Sequence, residues 1–161
     1  MKFSNKEKNR LKHTYGQWAI VTGASSGIGF EIAKCLAEAG LDLVICSRNL
    51  KKLEEVETNL KSKFNIQIKV ISTDVSEAEG IAKIINETKD LNVGLLVVSA
   101  GYGTSGLFID TSLHAEINML KVNCEALLSL THYYGQQFVL QKRGGIILMS
   151  SMEKRYADNN K

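Results

Sequence analysis

Proline is missing from all 161 residues, where average usage of about 5% predicts roughly eight. A collagen-like chain is excluded, and no function attaches to the absence. Cysteine is nearly as scarce: Cys35, Cys46 and Cys124 are odd in number, far apart and flanked by apolar residues. Neither a disulfide framework nor a Cys-x-x-Cys metal site is available, and the expected compartment is the reducing cytosol, a cytoplasmic setting. Long apolar runs are missing as well. The first apolar stretch, Trp18 to Val21, is too short for the core of a signal peptide, and nothing approaches the span of a membrane helix. Broad positive charge is lacking too. The formal charge is +3, yet the first sixteen residues hold Lys2, Lys6, Lys8, Arg10 and Lys12 against Glu7, which leaves the body slightly negative. A near-neutral body behind a short basic tail lacks the cationic face that nucleic acid needs. Neither nucleic acid nor a membrane is expected as a partner.

What is present is ordinary globular composition, 44% hydrophobic and 23% charged. The length suits one domain that buries roughly two-thirds of its unfolded surface. After a basic polar tail over 1–15, Gln17 to Thr22 reads as a strand entering a glycine turn. Ile28, Ile32, Cys35, Leu36 and Ala39 then recur at helical spacing, with Gly40 as the expected stop. Leu41 to Ser47 reads as a second strand and Asn49 as the cap of a helix carrying Leu50, Leu53, Val56 and Leu60. Ile66, Ile68 and Val70 mark a third strand. Ser76 with Glu79 predicts a capping box ahead of Ile81, Ile84 and Ile85, and Val93 to Val98 is a fourth strand. A long helix is expected from Thr111 to about Gln141, holding Ile117, Leu120, Leu127, Leu130 and Val139, before a fifth strand at Gly145 to Met149. One domain over 16–151 is expected, with a polar tail over 152–161. Strands alternating with helices imply the α/β class and a parallel sheet covered on both faces.

Thr22-Gly23-Ala24-Ser25-Ser26-Gly27-Ile28-Gly29 sits where the first strand becomes the first helix of that pattern. Backbone N–H groups and the helix dipole receive a pyrophosphate at such a turn. Gly23 permits the tight turn, Gly27 the approach of phosphate, and Gly29 the packing of helix on strand. A chain reversal is the plainer reading of a few glycines. The strand before, the amphipathic helix after and the full βαβ unit favour a nucleotide.

These residues resemble the short-chain dehydrogenase/reductase family, whose fingerprint is Thr-Gly-x-x-x-Gly-x-Gly. Asp74-Val75 after the third strand looks like the pair that contacts adenine in that family. Ser99-Ala100-Gly101 after the fourth strand looks like its Asn-Ala-Gly, with Ser99 departing from the usual asparagine. Asn123 looks like the active-site asparagine of the long helix, and Ser150-Ser151 like the serine pair after the fifth strand. Singly, each has a plain reading as a turn, surface or strand-end residue; their common register with the glycines favours the family. The resemblance covers residues from about 15 to 152. It implies a Rossmann-like, doubly wound sheet of five strands in the order 3-2-1-4-5, incomplete relative to the family. It further implies cofactor binding by Gly23, Ser25, Ser26, Gly27, Ile28, Gly29, Arg48, Asp74, Val75, Ser99, Ala100 and Gly101, and catalytic roles for Asn123 and Ser151.

An NAD enzyme usually places an acid at the end of the second strand, whereas NADP asks for a positive charge. Cys46-Ser47-Arg48 supplies no acid, and Arg48 beside a small hydroxyl residue suits a 2′-phosphate. NADP(H) is therefore expected over NAD(H). The family's proton-transfer pair, Tyr-x-x-x-Lys, is expected near position 164, and the sequence stops at Lys161. Tyr156 and Lys161 are five apart, which turns them about 140° around a helix, so they do not replace the pair. Two functions are expected. One is the NAD(P)-binding portion of an oxidoreductase for a small carbonyl or alcohol substrate, inactive by itself. The other is a noncatalytic dinucleotide-binding or association protein of the same lineage. Gly144 to Met149 is apolar and uncharged, so self-association through the fifth strand or the long helix is expected.

Overall fold

Five runs rich in β-branched and aliphatic residues make one sheet in the order β3-β2-β1-β4-β5, every pairing parallel. The computed structural model describes residues 3–150. Its strands are β1 (Trp18–Thr22), β2 (Asp42–Ser47), β3 (Ile68–Ser72), β4 (Val93–Val98) and β5 (Gly145–Leu148). Ile20 of β1 stands opposite Val44 of β2 on one side and Leu96 of β4 on the other. All of β4 and nearly all of β1 are buried, as expected of parallel strands covered on both faces.

The helices are α1 (Asn5–Tyr15), α2 (Gly27–Glu38), α3 (Leu50–Lys61), α4 (Ala78–Thr88), α5 (Leu113–Leu120) and α6 (Ala126–Gln141). Alternate strand side chains point to opposite faces, and the core divides accordingly. Ala33 and Ala37 of α2 with Leu53, Val56 and Leu60 of α3 pack on Ala19, Val21, Leu43, Ile45, Leu95 and Val97. On the other face, Ile81 and Ile84 of α4 with Leu130, Tyr134 and Phe138 of α6 pack on Ile20, Val44, Cys46, Leu96 and Val98. The Thr88 and Tyr134 hydroxyls meet at 2.5 Å and tie α4 to α6. Burial pushes the Tyr134 phenol up, against the hydrogen bond from Thr88. This is the α/β class that the sequence pattern implies, in the Rossmann-like, doubly wound form that the family resemblance implies.

Three local features differ from the sequence reading. Residues 5–15, read as part of a polar tail, form α1. Ser4 Oγ accepts from Glu7 N at 3.3 Å while Glu7 Oε2 accepts from Ser4 N at 2.8 Å, a reciprocal cap. Charge hid this helix, whose inward residues are few: Leu11 and Tyr15, with Phe3 just ahead of it, pack against the apolar cluster. The capping box expected of Ser76 and Glu79 does not form. Ser76 Oγ instead donates to Asp74 Oδ1 at 2.8 Å, and α4 begins after Glu77. The long helix starts two residues late, at Leu113, capped by Ser112, whose Oγ accepts from Ala115 N at 3.1 Å. It is also interrupted between α5 and α6 by a π turn at Lys121–Glu125. Other expectations stand: Gly40 follows α2 with φ +86°, and Asn49 Oδ1 caps α3 by accepting from Lys52 N at 3.0 Å.

Candidate functional site

The carboxyl ends of all five strands open into one cleft of about 1380 Å³. At about 4.8 Å per strand, the walk from β3 to β5 in this sheet order is about 19 Å. Asp74 and Val75 line it past β3, Ser47 and Arg48 past β2, and Gly23, Ser25, Ser26, Gly27, Ile28 and Gly29 past β1. Ser99, Ala100, Gly101 and Tyr102 follow past β4, then Met149 and Ser150 past β5, with Met119 and Asn123 reaching in from the long helix. Every residue expected from the sequence to hold a cofactor therefore lines one cleft, together with Asn123. Ser151, Tyr156 and Lys161 lie outside the described residues. The chain turns one way from β1 to β2 and β3 and the other way to β4 and β5, so the cleft sits at the crevice where open α/β sheets take ligands.

The three glycines of the first turn do different things. Gly23 has φ +68°, and a Cβ there would stand 2.9 Å from Ala100 N. A Cβ on Gly29 would overlap the carbonyl oxygen of Gly23, so the start of α2 rests directly on the end of β1. Gly27, at φ +58°, would point a Cβ into open space with nothing within 4 Å. The first two glycines serve the protein's own packing; the third faces the cleft. Ser26 makes no side-chain cap to α2, which leaves the first N–H groups of that helix without a side-chain acceptor at the cleft. Such a terminus favours an anion.

The turn after β4 is held by Thr22, whose Oγ1 accepts from Ser99 N and Ala100 N at 3.1 Å each. Asn123 lies within the π turn. Its Nδ2 donates to Tyr102 O at 2.8 Å and its Oδ1 accepts from Tyr102 N at 3.1 Å. Asn118 Nδ2 donates to the Tyr102 hydroxyl at 2.8 Å.

At the β2 end, Arg48 Nη1 lies 3.8 Å from Asp74 Oδ2 with its side chain 68% exposed. An exposed pair at that distance is weak, so the guanidinium is free to turn onto a ligand. Asp74 is anchored instead through Oδ1, which accepts from Ser76 N at 2.9 Å and Ser76 Oγ at 2.8 Å. Ser47 Oγ is buried without a hydrogen-bond partner, and Lys52 lines the same end of the cleft. Sequence reasoning missed Lys52 and Tyr102. The Arg-x-x-x-Lys spacing was visible for the first; nothing local marked the second. Cys46, fully buried beneath this end, has its thiol pushed up to about 12 by burial and cannot serve as a nucleophile. Among the described residues, no group of three His, Cys, Asp or Glu side chains is placed to hold a metal, and no helix is long and apolar enough to cross a membrane.

The sequence profile of the short chain dehydrogenases matches residues 17–160. The chain belongs to the short-chain dehydrogenase family. It is 32% identical over 142 residues to a 7beta-hydroxysteroid dehydrogenase of Mediterraneibacter gnavus, covering 88% of this chain and 54% of that protein. It is 39% identical over 145 residues to a very-long-chain 3-oxoacyl-CoA reductase-like protein of Arabidopsis thaliana, covering 88% and 46%. Among solved structures it resembles a short-chain dehydrogenase from Sphingobium yanoikuyae in complex with NADPH, with a TM-score of 0.80, 27% identity, and 84% and 53% coverage. This short-chain dehydrogenase chain thus spans about half the length of the relatives it matches.

Proposed function

We propose that the cleft binds NADP(H) in preference to NAD(H), as the cofactor half of an oxidoreductase for a carbonyl or alcohol substrate. The observation that carries the preference is at the β2 end. Ser47 Oγ is buried there without a partner among the described residues, at a cleft end that Arg48 and Lys52 also line, and the charge of Asp74, the acid lining that end, is offset by Arg48 at 3.8 Å. A buried hydroxyl without a partner is unfavourable by about 1–3 kcal/mol, and a 2′-phosphate oxygen would relieve it. Gly27 keeps open the path a pyrophosphate needs, and the uncapped start of α2 offers the donors. A relative solved with NADPH supports the same reading. Residues 16–151 are the binding unit, and α1 buttresses its amino end.

A nicotinamide dinucleotide bound here supplies hydride exchange with a carbonyl or carbinol carbon. The chain's own part is to hold and orient: Arg48, Lys52 and Ser47 at one end, the glycine turn at the middle, and Asn123 at the other. The 161 residues contain no Tyr-x-x-x-Lys pair. Loss of positioned proton transfer typically lowers a rate by about 10²–10⁴, and lost substrate positioning adds to that. The polypeptide by itself therefore binds cofactor without turnover. Titration with NADPH and NADH tests the preference: NADPH binds at least about tenfold more tightly, and equal or NADH-favouring affinity overturns the reading. NADPH oxidation with aldehydes, ketones and quinones tests the inactivity. Turnover that disappears in Tyr156→Phe would refute it.

The alternative is a noncatalytic protein that acts through association, and the exposed apolar side chains favour some association in either case. Ile147 and Leu148 are exposed on the β5 edge, and Leu113, Ile117, Leu120 and Leu128 on the long helix. Light scattering separates these faces: Ile147→Lys yields monomer if the strand edge is the contact. Three unpaired cysteines suit a reducing cytosol.

A further inference from the structure

Tyr102 is the most firmly held residue of its loop, and packing does not account for that. It is 37% exposed, yet three hydrogen bonds fix it. Both backbone groups go to the Asn123 amide, at 2.8 and 3.1 Å, and the phenol oxygen accepts from Asn118 at 2.8 Å. The two asparagines stand on either side of the start of the π turn, so one irregular stretch of helix grips one tyrosine. Beyond it the loop opens out, with Leu107, Phe108 and Ile109 all exposed. Gly101 and Gly103 flank the ring, and no side chain crowds it from either neighbour.

Its place in the cleft gives the clamp a purpose. Tyr102 follows β4, two strands from the β2 end where Arg48 stands, about 10 Å away at the spacing of a sheet. A dinucleotide with its ribose phosphate at Arg48 and its pyrophosphate at Gly27 extends past Ala100 toward Tyr102. The phenol oxygen is already an acceptor for Asn118, so its own hydrogen remains to donate, and no acceptor for it is found among the described residues. Met119 and Met149 line the same end. A flat ring bearing a carbonyl group matches both the apolar wall and the free donor.

We propose that Tyr102, positioned by Asn118 and Asn123, is the residue that recognises the nicotinamide half of the ligand, its ring against the heterocycle and its hydroxyl donating to the carboxamide oxygen. The inference rests on the NADP(H) reading of the cleft. Two probes separate them: NADPH, and adenosine 2′,5′-bisphosphate, which lacks the nicotinamide half. By calorimetry on the 161-residue chain, Tyr102→Ala lowers NADPH affinity about tenfold and leaves the bisphosphate within about twofold. Tyr102→Phe and Asn118→Ala each lower NADPH affinity about fivefold, the size of one hydrogen bond. The double variant is no worse than either single one, because Asn118 acts only through the phenol. The fluorescence of NADPH, enhanced on the wild type, falls toward its free value in Tyr102→Ala.

Equal losses for both probes in Tyr102→Ala would mean that the ring supports the loop rather than the ligand, and would overturn the inference. Bisphosphate binding as tight as NADPH binding on the wild type would overturn it too, leaving the NADP(H) reading intact. Binding of neither probe would sink that reading and this inference with it.

Discussion

The two ends of the sheet are made from the same five strands and are finished in opposite ways. At the amino end, α1 lies across the strands and the polar groups are consumed. Asp42 is buried and accepts from Gln17 Nε2 at 2.6 Å and Gln67 N at 2.8 Å. Arg143 bonds Asn92, Asn92 O accepts from Trp18 N at 3.1 Å, and the Tyr15 carbonyl presses on Gly94 so closely that a Cβ would overlap it. At the carboxyl end a Cβ on Gly27 meets nothing, α2 begins without a side-chain cap, and Ser47 Oγ is orphaned. Buried polar groups are ordinarily paired. At the amino end glycine serves packing alone, whereas at the carboxyl end Gly23 and Gly29 serve packing and Gly27 leaves open space.

Substituting a glycine at each pole breaks that contrast most directly. Gly94→Ala should destabilise the fold by about 3 kcal/mol through overpacking, a fall in Tm of about 6–12 °C, with cofactor affinity unchanged in the molecules that remain folded. Thermal melts with and without NADPH measure both. Gly27→Val should do the reverse. It weakens NADPH and NADH alike by about 100-fold, or ~2.7 kcal/mol, while the positive φ destabilises the fold by about 1–2 kcal/mol. A Gly27→Val protein that binds normally would remove the glycine turn from the site. Arg48→Ala sharpens the picture at the open end: NADPH loses about tenfold and NADH stays within about twofold, and equal losses would assign Arg48 to the fold rather than to a phosphate.

The mildest change lies at the closed end. Ser4→Ala removes the cap of α1 and should lower stability by about 1 kcal/mol, or about 2–4 °C in Tm. The hydrogen bonds from the Ser4 side chain and then its backbone hold the Glu7 carboxyl below its ordinary value of 4.5. A group whose folded pKa is lowered stabilises fully above its ordinary value and loses that contribution as pH falls through the lowered one. The gap between wild type and Ser4→Ala should therefore narrow below about pH 4; a gap that widens in acid would mean that Glu7 is not the partner.

Much of the open end was legible beforehand because it is built from strand runs and glycines, whose spacing follows from backbone geometry. All five strands were placed within about two residues, and the residues expected to hold a cofactor line one cleft, while Ser151 lies outside the described residues. The closed end was not legible. α1 has Leu11 and Tyr15 one turn apart, but its surrounding lysines outweigh them in any composition window; Ser4-x-x-Glu7 was the overlooked signal. The same motif misled at Ser76, where Asp74, two residues back, offered a nearer acceptor than the helix N-terminus. The π turn left no trace in the pattern of apolar residues because it inserts a single residue without changing which types face the core. The orphaned Ser47 hydroxyl is a property of three-dimensional surroundings, and no one-dimensional pattern reports it.

The Thr22 hydroxyl spans 77 residues of chain to reach Ser99 N, and β1 finds its second neighbour, β4, across a similar separation. During synthesis at about 5–20 residues per second, the glycine turn is therefore made some 4–15 seconds before the backbone that will hold it exists. Until then the flank of β1 that β4 will cover, Ala19 to Thr22, has no partner strand. The cleft is thus among the last parts of this domain to take shape, even though its first residues are among the earliest to emerge.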